Sequence, residues 1–215
     1  MAKLIIFDLD GTLIDSIPDI LDNINIMLNH FGYKERTYED IRSFIGNGAR
    51  NLVKRSIGEE ISEDRLDECL AFYNKIYTDS NSPKTKIFDG VKEVLLAFKE
   101  RGYKLAVLTN KPQITTDTVI KRYFSFIEFD RVVGFRDGKK CKPDKTETLK
   151  IINELGVNCE DVFFVGDGET DVETAKNSSV KCVAVLWGYR DKDLLKDYGA
   201  KIFAQNPKDL LQIIK

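Results

Sequence analysis

Histidine is nearly missing from this chain: His30 is the only one among 215 residues. Cysteine is sparse too, and Cys69, Cys141, Cys159 and Cys182 form no C-x-x-C pair. Zinc sites gather Cys and His in short motifs, so nothing here predicts a structural zinc. The cysteines read as reduced thiols. An excess of positive charge is also lacking, since Lys and Arg number 33 against 35 Asp and Glu, a net charge of −2. That leaves no broad basic surface for nucleic acid. No apolar run approaches the roughly 20 residues of a membrane span. Met1-Ala2-Lys3-Leu4 leads straight into a short apolar stretch ended by Asp8, too short and too acidic at its end for a signal peptide. The expectation is a cytoplasmic protein that engages neither nucleic acid nor membrane.

What is present is a core. The chain is 42% hydrophobic and 32% charged, the balance of a globular protein. Leu4-Ile5-Ile6-Phe7, Leu105-Ala106-Val107-Leu108, Val162-Phe163-Phe164-Val165 and Cys182-Val183-Ala184-Val185-Leu186 are nearly continuous apolar runs. Such runs suit strands buried on both faces of a parallel sheet. Arg131-Val132-Val133 is a weaker strand and Lys201-Ile202-Phe203-Ala204 a short edge strand. Between the runs lie helical periods, with Val91, Val94, Leu95 and Phe98 on one face and Leu149, Ile152 and Leu155 on another. The alternation predicts an α/β fold, a Rossmann-like parallel sheet with helices on both faces. From about Ser16 to Tyr77 it stops. Ile17, Ile20, Leu21, Ile24, Leu28 and Phe31 share one helix face, with Ser16 as its N-cap, and two or three helices follow before the linker Asp79-Ser80-Asn81-Ser82-Pro83. The expected organisation is a core of residues 1–14 and 86–215 with an inserted all-helical cap of 15–85.

Reactive residues stand where the strands end. The first strand runs into Asp8-Leu9-Asp10-Gly11-Thr12, the second into Thr109-Asn110, and a later one into Gly166-Asp167-Gly168-Glu169-Thr170-Asp171, with Lys142-Pro143 in a loop between. Parallel strands would bring all four groups to one sheet edge. Clustered carboxylates repel a phosphate unless a hard cation sits between them, and Mg²⁺ favours a few carboxylates plus water and phosphate oxygens. One carboxylate can attack phosphorus, and a second can protonate the leaving alcohol and then activate water. An ammonium, a hydroxyl and an amide can stabilise charge on the transferring group.

At these residues the chain resembles the haloacid dehalogenase-like superfamily, in its phosphoglycolate-phosphatase-like branch, with all four motifs in order. The resemblance implies that Asp8 is the nucleophile and Asp10 the general acid and base, with Lys142 completing the catalytic set. It implies that Thr109, and with it Asn110, binds the phosphoryl group. It also implies Mg²⁺ held by the Asp8 side chain, the Asp10 backbone carbonyl and Asp167, with Asp171 either a ligand or a support. The implied substrate is a small phosphorylated metabolite, and the protein a monomer or small homo-oligomer. In the helical insertion, Ile45-Gly46-Asn47-Gly48-Ala49-Arg50 is similar to a substrate-specificity loop, which makes Asn47 and Arg50 candidates for substrate contact. Lys145 and Gly168 depart from the family pattern, which often has Pro and Ser or Thr there.

Plainer readings compete at several positions. Asp10-Gly11-Thr12 alone could be a turn, Lys139-Lys140-Cys141-Lys142 a solvated loop, and Asp171 a helix cap. Arg50 could face solvent, Trp187 reads as packing, and His30 as structural or exposed. The chain lacks the second histidine of histidine phosphatases, and no cysteine has Arg six residues on, as cysteine phosphatases require. A phosphomutase on the same core and a non-catalytic metabolite-binding regulator remain alternatives. Dehalogenases resemble this branch but lack the second aspartate of the first motif, present here as Asp10.

Overall fold

The computed structural model describes residues 3–80 and 83–215, so Asn81 and Ser82 of the expected linker lie outside the described residues. The elements begin with β1 (Leu4–Phe7) and β2 (Ile14–Asp15). Four helices follow: α1 (Ile17–Phe31), α2 (Tyr38–Phe44), α3 (Ala49–Ile57) and α4 (Glu63–Asp79). Then come β3 (Lys86–Ile87), α5 (Val91–Glu100), β4 (Lys104–Pro112), α6 (Gln113–Tyr123) and β5 (Arg131–Phe135). The chain continues through α7 (Thr146–Glu154), β6 (Val162–Gly166), α8 (Glu169–Asn177) and β7 (Lys181–Val185). It closes with α9 (Lys192–Asp197), β8 (Phe203–Ala204) and α10 (Leu210–Ile213).

The six-stranded sheet has the order β5-β4-β1-β6-β7-β8, and every pairing in it is parallel. β1 lies in the middle and none of its four residues is more than 1% exposed. Its side chains alternate between two apolar clusters. Ile5 and Phe7 pack with Val94, Leu95 and Phe98 of α5 and Leu210 of α10. Leu4 and Ile6 pack on the other face with Ile151 and Ile152 of α7 and Ala175 of α8. Each such side chain contributes about 1.5–3 kcal/mol on burial. The strand as a whole outweighs the several kcal/mol that a buried carboxylate at its end, Asp8, costs.

The helix phase of α7 differs from the sequence expectation at one residue. Thr148, Ile151 and Ile152 are buried and Leu155 packs beside them, an i, i+3, i+4, i+7 seam. Leu149 lies about 100° off that seam, one residue's turn of an α-helix, and is 36% exposed.

Helices α1 to α4 gather a separate apolar cluster, in which Ile20, Ile24 and Met27 of α1 meet Ile41, Val53 and Tyr73. Gly32 ends α1 with φ +78°, its N–H reaching the Asn29 and Leu28 carbonyls. Thr37 and Asp40 open α2 with a reciprocal capping box, and Ser62 caps α4. Ser16 stands at the N-cap position of α1 but its side chain does not cap. Its hydroxyl instead donates to Asp10 Oδ1 at 2.6 Å. A feature absent from the sequence reading connects the two parts: β2 and β3 pair antiparallel, Ile14 with Ile87 and Asp15 with Lys86. The chain leaves the sheet and returns to it through this two-residue ribbon.

Candidate active site

From β1 the chain builds β4 and β5 on one side, then crosses to β6, β7 and β8 on the other. Ligand crevices in open parallel sheets lie at the carboxyl ends beside such a reversal. The cavity there takes Asp8, Asp10, Thr109, Lys111, Lys142 and Asp167 from the sheet and its loops, Gly46 from the turn after α2, and Leu52 and Tyr77 from α3 and α4.

Asp8 directly follows β1, and its N–H donates to the Val165 carbonyl at 2.9 Å. Lys142 Nζ lies 2.7 Å from Asp8 Oδ1 and 2.6 Å from Asp171 Oδ1. The other oxygen of Asp171 accepts from the Gly168 N–H at 2.9 Å, which fixes the first turn of α8. Asp171 therefore caps its helix and pairs with Lys142 at once. Asp167 accepts from Thr12 Oγ1 at 2.9 Å and from the Tyr189 N–H at 2.8 Å. Glycine flanks it closely: a Cβ on Gly188 would lie 2.3 Å from Asp167 Cβ, and one on Gly11 2.3 Å from Asp167 Oδ2.

Carboxylate oxygens of Asp8, Asp167 and Asp171 all lie within 4.8 Å of one another, and all three residues are buried. Burial, then the charge of Asp171, push Asp8 up to about 8 against the pull of Lys142. The same two causes push Asp167 up to about 7. Lys142 is held above the usual lysine range: burial opposes its charge, but Asp171 and Asp8 outweigh it. With all three carboxyls ionised, one ammonium would leave two negative charges uncompensated, which is why protons are retained. Hard oxygen donors at this spacing fit a divalent cation such as Mg²⁺.

Asp10 stands apart from the trio. Its carboxylate accepts from Ser16 Oγ at 2.6 Å and from Lys111 Nζ at 3.0 and 3.2 Å. Asn110 lines the cavity, but its amide is committed: Nδ2 donates to the Gly46 and Lys142 carbonyls at 3.0 and 3.1 Å, and Oδ1 accepts from the Lys142 N–H at 2.9 Å. Thr109 Oγ1 accepts from the Lys111 N–H at 3.2 Å.

The two cap candidates lie off the cavity wall, which is built by their neighbours Gly46, Gly48 and Ala49. Arg50 is drawn away by Asp67 and Glu63, with which its guanidinium forms exposed ion pairs. The Asn47 carbonyl accepts from Asn51 Nδ2 at 2.8 Å. His30 is exposed and stacks on Phe72, and Trp187 packs against the core while its Nε1–H donates to the Thr12 carbonyl.

Residues that sequence reasoning passed over complete the site. Lys111 sits two positions beyond Thr109 at the carboxyl end of β4 and lines the same cavity, so its place at a strand end could have found it. Tyr189 and Arg190 follow β7, and the rule that strand ends carry chemistry applies to them as it does to Asp8. Arg190 donates to Glu169 at 2.9 Å and to the Arg42 and Ile45 carbonyls at 2.5 and 2.6 Å. Tyr77, inside α4, carries no local signal at all.

Residues 5–185 match a family model described as haloacid dehalogenase-like hydrolase. Phosphoglycolate phosphatase 1 of Pseudomonas aeruginosa is 34% identical, over 98% of this chain and 79% of its own length. Phosphoglycolate phosphatase of Psychrobacter arcticus is 31% identical, over 96% of this chain and 90% of its own. The crystal structure of a predicted phosphoglycolate phosphatase from Haemophilus somnus matches with a TM-score of 0.91 at 27% identity, covering 100% of this chain and 98% of that one.

Proposed function

The chain belongs to the haloacid dehalogenase-like hydrolases and is a phosphatase of that family, and we propose that it hydrolyses a small phosphomonoester, of the phosphoglycolate kind, by way of an acyl phosphate on Asp8. One observation supports this above the others. Asp8, Lys142 and the neighbouring pair Asp167 and Asp171, from three segments far apart in sequence, converge on one buried cluster at the carboxyl edge of the sheet.

A carboxylate oxygen of Asp8 forms the bond to phosphorus as the bond to the leaving oxygen breaks, and Asp10 gives that oxygen a proton. Asp10 then takes a proton from water, whose oxygen attacks phosphorus, breaks the bond to Asp8 and releases phosphate. Ser16 and Lys111 hold the Asp10 carboxyl on the leaving-group side. Lys142 keeps Asp8 and Asp171 together and offers positive charge to the phosphoryl oxygens, and Thr109 offers its hydroxyl. Asn110 acts through Lys142, whose backbone it brackets. Mg²⁺ would be held by Asp8, Asp167 and the Asp10 carbonyl, with Asp171 beside them, and when bound supplies the positive charge that lets phosphate approach the carboxylates.

Residues 15–85 act as the cap over a core of 1–14 and 86–215, excluding water from the cavity. Asn47 and Arg50 would reach substrate only if the loop between α2 and α3 and the first turn of α3 turned inward. Four free cysteines accord with the reducing cytoplasm, and no helix among the described residues is long and apolar enough to cross a membrane. The test is phosphate release from a panel of phosphomonoesters, with Mg²⁺ or with EDTA, by wild type and Asp8→Asn. Turnover lost on chelation and in the variant is expected; turnover that survives both contradicts the reading.

A further inference from the structure

Among the described residues, three cations line the cavity: Lys142, Arg190 and Lys111. Lys142 is engaged by Asp8 and Asp171, on the side where phosphorus must sit. Arg190 spends its guanidinium on Glu169 and two cap carbonyls. Lys111 differs from both. Its side chain is 5% exposed, and Nζ lies between Asp10 at 3.0 Å and the Tyr77 hydroxyl of α4 at 2.8 Å. Burial opposes its charge, but Asp10 and Tyr77 outweigh burial and hold it above the usual lysine range, so it is an ammonium.

The position of Asp10 tells which part of a substrate this ammonium meets. A general acid must stand beside the ester oxygen it protonates. A group within 3.0 Å of its carboxylate therefore faces the leaving alcohol and what that alcohol carries. The cavity lining also includes the apolar Ile20 and Leu52 and the ring of Tyr73. The two Asp10 oxygens, 3.0 and 3.2 Å from Nζ, belong to one carboxylate and share one N–H, Tyr77 takes a second, and the last of the ammonium's three donors is left to offer.

Resting on the phosphatase reading above, we propose that Lys111 is the residue that selects the leaving group, favouring short phosphoesters whose alcohol carries a carboxylate. Tyr77 holds the ammonium in place from the cap. Lys142 serves the phosphoryl end and Lys111 the opposite end of one small dianionic or trianionic substrate. Selectivity thus comes from the core strand β4 and from α4, while Arg50 is tied up on the cap surface.

The experiment compares kcat/KM for phosphoglycolate and for ethyl phosphate, its counterpart without the carboxylate, in wild type, Lys111→Met, Lys111→Arg and Tyr77→Phe. A charged hydrogen bond of this kind corresponds to a preference of about 10- to 100-fold. Wild type is expected to prefer phosphoglycolate by at least that lower bound. Lys111→Met should lower kcat on both esters, because Asp10 loses a partner, and in addition bring the ratio near one through a larger rise in KM for phosphoglycolate, with Lys111→Arg restoring part of the ratio and Tyr77→Phe reducing it less. A measurement on wild type alone accompanies these: glycolate should inhibit competitively at concentrations where ethylene glycol does not. Equal losses on both esters in Lys111→Met, or no inhibition by glycolate, would overturn the assignment while leaving the phosphatase reading intact. A wild type inactive on both esters and on p-nitrophenyl phosphate would overturn both.

Discussion

Asp167 shows how narrowly a single residue is held. Thr12 and the Tyr189 N–H fix both of its oxygens, and Gly11 and Gly188 leave no room for a Cβ on either side. Gly188→Ala would drive a methyl group to 2.3 Å from Asp167 Cβ, so the carboxylate must move. A displacement of about 1 Å at a catalytic group costs on the order of 100-fold in rate. Gly188→Ala is therefore expected to lose at least that much kcat/KM while its circular dichroism stays that of wild type. Activity within a few-fold of wild type would show that the site tolerates the shift. Thr12→Val removes one donor from Asp167 and should cost about 1.5–3 kcal/mol of metal affinity or stability, read by calorimetric titration with Mg²⁺.

Between elements, the segment after β7 joins Asp167 at the end of β6 to the helical segment α1–α4. Tyr189 donates its N–H to Asp167 and accepts from Arg42 Nε of α2 at 2.8 Å on its carbonyl. Arg190 binds Glu169 of α8 and the carbonyls of Arg42 and Ile45. Arg190→Ala leaves Glu169, 18% exposed at its side chain, without that partner and releases the loop before α3. The expected result is a loss of about 2 kcal/mol in urea unfolding and a KM raised at least roughly tenfold. An unchanged KM would mean that the loop holds its place without the latch.

The elements themselves were legible to different degrees for physical reasons. β1, β4, β6 and β7 announce themselves because strands covered on both faces must be apolar throughout. The β2–β3 ribbon is invisible because two residues, Ile14-Asp15, carry no period. Ser16 reads as a helix cap from its type and place, yet its hydroxyl follows the stronger charged acceptor, Asp10. The carboxylate cluster was legible because each member ends a strand or opens the following helix. Tyr77 was not, since only the packing of α4 over the sheet brings it to Lys111.

For the whole molecule, the consequence is a stability that depends on metal and on pH together. The folded-state values of Asp8, about 8, and Asp167, about 7, lie above the ordinary 3.8 of a free aspartate. The folded metal-free protein thus holds protons that the unfolded chain has released above pH ~4. Its stability falls as pH rises from there through about 8, where both groups must ionise. Mg²⁺ bound as proposed would relieve that repulsion, so the difference in thermal midpoint between Mg²⁺ and EDTA should be small at pH 5 and grow up to about pH 8. A difference independent of pH would mean that the carboxylates are not the groups that meet the metal. The central claim is that Asp8 becomes phosphorylated, and it is tested most directly by a single-turnover reaction quenched in acid within milliseconds. Mass spectrometry of the peptide containing Asp8 should then find one phosphoryl group on that residue in wild type and none in Asp8→Asn. A quenched wild type that has released phosphate but never carries it on Asp8, across the whole time course, would contradict the account.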